Sequence, residues 1–115
     1  MGRARLLWLD TDAVAAAMPP VAERLALAER TMTALVEGEG AELPPKIGVH
    51  PRPAGSFAHA MPAALLPRDG DGATDLLGIK WVTGSGAGRV AGEPAIHAVV
   101  ILSDPTTGVP RASPR

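Results

Sequence analysis

Two apolar runs constrain this chain more than anything else in it. Residues 76–83 read Leu-Leu-Gly-Ile-Lys-Trp-Val-Thr, and residues 95–102 read Ala-Ile-His-Ala-Val-Val-Ile-Leu. Both have strand length and are rich in β-branched and aliphatic side chains. The segment between them, 84–94, is dense in glycine and carries no amphipathic helix. The runs therefore read as the two central strands of a buried sheet. One cation, Lys80, is planted in that sheet.

Alternation along a strand puts Lys80 on one face with Gly78 and Val82, while Ile79 and Trp81 point the other way. A lysine in such company is costly to bury without an anionic partner. Two readings follow. Lys80 binds a carboxylate, or its strand lies at a sheet edge and the charge discourages edge-to-edge pairing. Periodicity alone leaves both open.

The rest of the chain supplies the other layers. Residues 5–9 predict a short first strand, and Asp10 or Thr11 can cap the Ala-rich helix expected over 12–18. Pro19-Pro20 interrupts it, and a second helix is expected over 20–37 because proline is tolerated in a first turn. Val21, Leu25, Ala28, Met32 and Leu35 recur at spacings of three and four, which makes one apolar face. Gly38 and Gly40 are suited to end it. Beyond Pro44-Pro45, residues 46–50 predict a strand, 51–55 a turn, 56–63 a return strand and 67–74 a solvated loop. Asp104-Pro105-Thr106-Thr107-Gly108 has turn chemistry. Residues 109–112 can begin a returning strand, although Ser113-Pro114-Arg115 is a poor strand ending. The fold class expected is α/β (α+β): a mixed or antiparallel sheet with the two N-terminal helices packed on one side.

Composition narrows the function. At 115 residues the chain is one domain at most, with room for a modest core. Its net charge of −1 leaves no electrostatic footprint for nucleic acid or an anionic membrane. The absence of cysteine removes disulfides, thiolate metal sites and a cysteine nucleophile. No signal peptide and no membrane span can be read, so a cytoplasmic location is expected. His50, His59 and His97 lack metal-ligand spacing, and His97, inside an apolar run, reads as a core histidine. Gly84-Ser85-Gly86-Ala87-Gly88 follows a strand but opens no helix, so it is not a dinucleotide loop. Ser56, Ser85 and Ser103 have no nucleophile-elbow context. Lys46, at a strand start, reads on its own as a solvated surface lysine.

The order of motifs carries a resemblance. Pro45-Lys46, Met61-Pro62-Ala63, Gly78-Ile79-Lys80-Trp81-Val82, Gly92-Glu93-Pro94-Ala95-Ile96 and Ser103-Asp104-Pro105-Thr106-Thr107-Gly108-Val109-Pro110 occur in this sequence over most of its length. The chain resembles the N-terminal part of the ornithine cyclodeaminase/mu-crystallin family. That resemblance implies an NAD(P)-dependent enzyme acting on an amino or imino acid, either by deaminating cyclisation of ornithine to proline or by a related dehydrogenase or imine reductase step. It implies a substrate-binding and dimerisation domain here and a Rossmann domain that this chain lacks. By position, Lys46 matches a basic residue holding the substrate carboxylate. Lys80 matches the lysine beside that carboxylate and the reacting carbon, and Met61 lines the same pocket. Ala95 stands where cyclodeaminases tend to carry a threonine.

No cofactor-binding residue and no metal ligand is assigned on this chain. Alone it is expected to bind no NAD(P) and to be inactive, as a truncated or split substrate-binding portion. The expected partners are a small amino-acid or imino-acid carboxylate, a second copy joined through the sheet domain, and a separate Rossmann-domain chain. The alternative is a non-catalytic dimerisation or small-carboxylate-binding module.

Overall fold

The computed structural model describes residues 5–68, 70, 74–88 and 92–114. Its elements run in the order β1 (Leu7–Leu9), α1 (Thr11–Ala17), α2 (Val21–Glu37), β2 (Ala41–Glu42), β3 (Ile47–Val49), β4 (Phe57–Leu65), β5 (Leu76–Gly84), β6 (Ile96–Ser103) and β7 (Pro110–Pro114). All strands join one seven-stranded mixed sheet in the order β1-β7-β6-β5-β4-β2, with β3 also pairing with β4. This is the α/β class that the sequence predicts.

Local chemistry explains where the helices start and stop. Asp10 caps α1, its Oδ1 accepting the Ala13 N–H at 2.8 Å. Gly38 ends α2 in the left-handed conformation, φ 71°, which costs a glycine little.

Long-range pairing builds the sheet. β4, β5 and β6 form its antiparallel centre, with Met61 opposite Lys80 and Lys80 opposite Val100. The turn after β6 is held by the Asp104 side chain. Its Oδ1 accepts the backbone N–H groups of Thr106 and Thr107, at 2.9 and 3.0 Å, and its Oδ2 accepts from Arg111 at 3.1 Å. β7 then returns antiparallel to β6 and lies parallel to β1. Hence residues 113 and 114, a poor strand ending by composition, do belong to a strand, because β1 supplies the partner.

Two expectations about burial are overturned. The sheet is central in topology but not buried. Ala58, 6% exposed, is the one buried apolar residue among those described, and no residue of α1 or α2 is buried. The α2 stripe stays open as well, with Leu25 66% exposed. The radius of gyration, 16.5 Å, exceeds the roughly 13 Å of a compact domain of this length. The cause is architectural: among the described residues no second layer covers either sheet face beyond the end reached by α2.

Candidate functional site

The site is a row across the sheet. Residues directly opposite in an antiparallel pair share a face, so Met61, Lys80 and Val100 stand side by side on one face of β4, β5 and β6. Lys46 immediately precedes β3, where Ile47 pairs with Ala60 and Gly48 with His59. Continuing that ladder by one residue brings Lys46 level with Met61. Two inter-strand spacings, roughly 10 Å, then separate the backbones of the two lysines.

This placement answers the edge question for Lys80. β5 has β4 on one side and β6 on the other, so its backbone groups are paired in both directions. The lysine protects no open edge. Its side chain is exposed and makes no ion pair among the described residues.

A cleft of about 390 Å³ opens on this face, between the sheet and the second half of α2. Met61, Lys80 and Val100 line it, with Ala63 and Leu65 beyond them. Thr31 and Leu35 form the α2 wall. Its surface is overwhelmingly apolar, and Lys80 and Glu42 are its charged lining residues. Lys46 is not among the lining residues, so the structure joins Met61 and Lys80 in one cleft and leaves Lys46 at the end of their row. Thr31 is absent from the apolar stripe read from the sequence, whereas Met32, which belongs to it, is exposed. The signal was available: Thr31 and Leu35 are four residues apart and so share a helix face.

The other candidates do not line this cleft, although His59, opposite Val82, shares the sheet face of Met61 and Lys80. His59 is half-buried and stacks on Phe57, ring centroids 4.8 Å apart. His50 is exposed. His97 is exposed on the opposite sheet face, level with Thr83, and is not a core histidine, because that face is uncovered. Ala95 borders a second cavity rather than the Lys80 cleft. Among the described residues no three His, Asp or Glu side chains gather as metal ligands. No helix among them is long and apolar enough to cross a membrane.

The glycine loop after β5 leads into β6, antiparallel to β5, rather than into a helix. It lacks the strand–turn–helix geometry that cradles a pyrophosphate. This loop is therefore not a dinucleotide loop of that kind.

Comparison with known proteins agrees with this geometry. The ornithine cyclodeaminase/mu-crystallin family matches residues 13–113. The nodulation efficiency protein NfeD of Rhizobium meliloti is 38% identical over 104 residues, which are 90% of this chain and 30% of that protein. Among solved structures, an archaeal alanine dehydrogenase dimer with bound NAD superposes with TM-score 0.75 at 27% identity, covering 95% of this chain and 30% of that one. The Thermococcus litoralis Δ1-pyrroline-2-carboxylate reductase, in complex with NADH and L-proline, gives TM-score 0.76 at 25% identity, covering 94% of this chain and 31% of that one. The chain thus spans about a third of the length of these relatives. With the family matched over residues 13–113 and a relative 38% identical over 90% of its residues, the chain belongs to the ornithine cyclodeaminase/mu-crystallin family.

Proposed function

We propose that this chain is the substrate-binding portion of an NAD(P)-dependent enzyme acting on a small amino or imino acid. The observation that carries the reading is Lys80: an unpaired ammonium in a central strand, beside Met61, in an apolar cleft. Such a cation binds a carboxylate and fixes its orientation, and the apolar wall receives the rest of the molecule. Lys46, at the end of the same row, is the second cation for that carboxylate. The cleft volume suits an amino acid and is too small for a dinucleotide as well. Two structural relatives are described with an NAD cofactor, and one of them with L-proline, a small amino-acid carboxylate.

The glycine loop after β5 opens no helix, so we assign no hydride-transfer step to these residues. That carrier belongs to a Rossmann domain outside the described residues, in the same or a separate chain. Without it the chain is inactive, and ornithine cyclodeamination and imine or keto-acid reduction remain equally compatible with the cleft.

A second reading is a non-catalytic dimerisation module. Exposed Ile47, Val49, Trp81 and Ile101 on the sheet face opposite Lys80 favour it. One experiment separates the two. Isothermal titration of L-proline and of L-alanine into the chain should show saturable binding that Lys80→Met abolishes. A chain that dimerises yet binds neither amino acid is a module only.

A further inference from the structure

We propose that a second cavity, between the β3–β4 turn and the β5–β6 loop, binds a small oxyanion, a carboxylate or phosphate group, through Arg52 and His97. The cavity holds about 260 Å³ and shares no lining residue with the Lys80 cleft. It lies at the far end of β5, where Thr83 is opposite both Ala58 and His97.

Three observations support a site rather than a surface dent. First, the polar lining is one-sided. Arg52 and His97 line the cavity together with Thr83 and Ser85, and no carboxylate is among its described lining residues. Arg52 makes no ion pair with any described residue. An arginine fork with a neighbouring imidazole N–H is suited to the two or three oxygens of one anion.

Second, the walls are held in place before any ligand arrives. Ser56, 3% exposed, accepts the Gly86 N–H on its Oγ at 2.8 Å, while its own N–H donates to the Pro53 carbonyl at 3.1 Å. One buried serine thus pins the β5–β6 loop to the β3–β4 turn. Third, the two loops meet backbone to backbone at Gly86. A Cβ there would come within 1.8 Å of the Ala54 carbonyl oxygen, so only glycine permits the approach. A cavity whose walls are fixed in this way loses little freedom when it is filled. Its volume accommodates a small oxyanion.

The test is a titration of the isotope-labelled 115-residue chain, followed by amide NMR at constant ionic strength, with inorganic phosphate and separately with acetate. Saturable shifts at Ser56, Gly86 and His97 are expected. Arg52→Gln and His97→Gln should each weaken binding about tenfold, the effect of one charge-assisted hydrogen bond. Both side chains are exposed, so these variants should melt like the parent. Lys80→Met should leave the shifts at this cavity unchanged. A response to acetate alone marks a carboxylate site, to phosphate alone a phosphate site, and to both a general oxyanion site. No saturable shift with either anion, or equal binding by Arg52→Gln and the parent, overturns the proposal.

Discussion

Met61 faces Lys80 across the β4–β5 ladder, and this pairing brings two separate sequence motifs into one cleft. A thioether and an ammonium on adjacent strands give the cleft an apolar floor with one cation on it. A carboxylate bound there loses water on the apolar side and gains a cation on the other, where few other groups compete for it.

The first prediction concerns that charge. In a version carrying the dinucleotide domain, Lys80→Met should raise KM for the amino or imino acid by about tenfold to a hundredfold, the range for losing a hydrogen bond to a charged group. Lys80→Arg should recover part of the loss. Steady-state kinetics at varied substrate measure this, and an unchanged KM in Lys80→Met excludes the carboxylate role.

Loop docking gives a second prediction. Ser56→Ala removes the acceptor of the Gly86 N–H in a part-buried position. It should cost about 1–3 kcal/mol of stability. Gly86→Ala drives a Cβ against the Ala54 carbonyl and should cost a similar roughly 1–3 kcal/mol through forced backbone movement. Thermal melts followed by circular dichroism provide the comparison; a melting temperature matching the parent would show that these loops do not hold each other.

Acid should loosen the β6–β7 turn. The Thr107 N–H, then the Arg111 guanidinium and the Thr106 N–H, hold the Asp104 carboxyl below its ordinary value of 3.8. Because the folded value is depressed, the contribution of this carboxylate is fully present above the unfolded value. It is lost as pH falls through the lowered folded value. The turn should therefore be intact at neutral pH and weaken only below pH 3.8. Asp104→Asn, which keeps an acceptor but no charge, should flatten that acid limb. Amide exchange at Thr106 and Thr107 across the acid range reads the effect, and identical profiles for both proteins would refute it.

Self-association should depend on the face opposite the cleft. Ile47, Ala60, Trp81 and Val99 form a row there, and Trp81 is 45% exposed. Burying such a row against a second copy removes apolar surface from water on both chains. Trp81→Glu should shift the chain toward monomer in sedimentation velocity while leaving its circular dichroism unchanged. A dimer that survives the substitution places the interface elsewhere.

Much of this was legible in the residues. The Asp10 cap, the α2 period with its Gly38 stop, the strand runs around Lys80 and His97, and the Asp104 turn are all local patterns, and each appears where expected. β2 went unseen because two residues beside two prolines carry no period; its strand character comes only from pairing with β4. The burial expected of His97 fails for a related reason. An apolar run shows that a strand is suited to burial, not that anything covers it.

Residue order alone dictates the type and succession of elements and, through its motifs, the family. Helix and strand periods, caps and turns arise from neighbours within a few residues, so they can be read along the chain. It takes the assembled sheet to make β5 central, to set Met61 opposite Lys80 with Lys46 at the end of their row, and to close β1 on β7. Those relationships depend on backbone hydrogen bonds between segments far apart in the chain, where a slip of one residue would turn Lys80 to the other face.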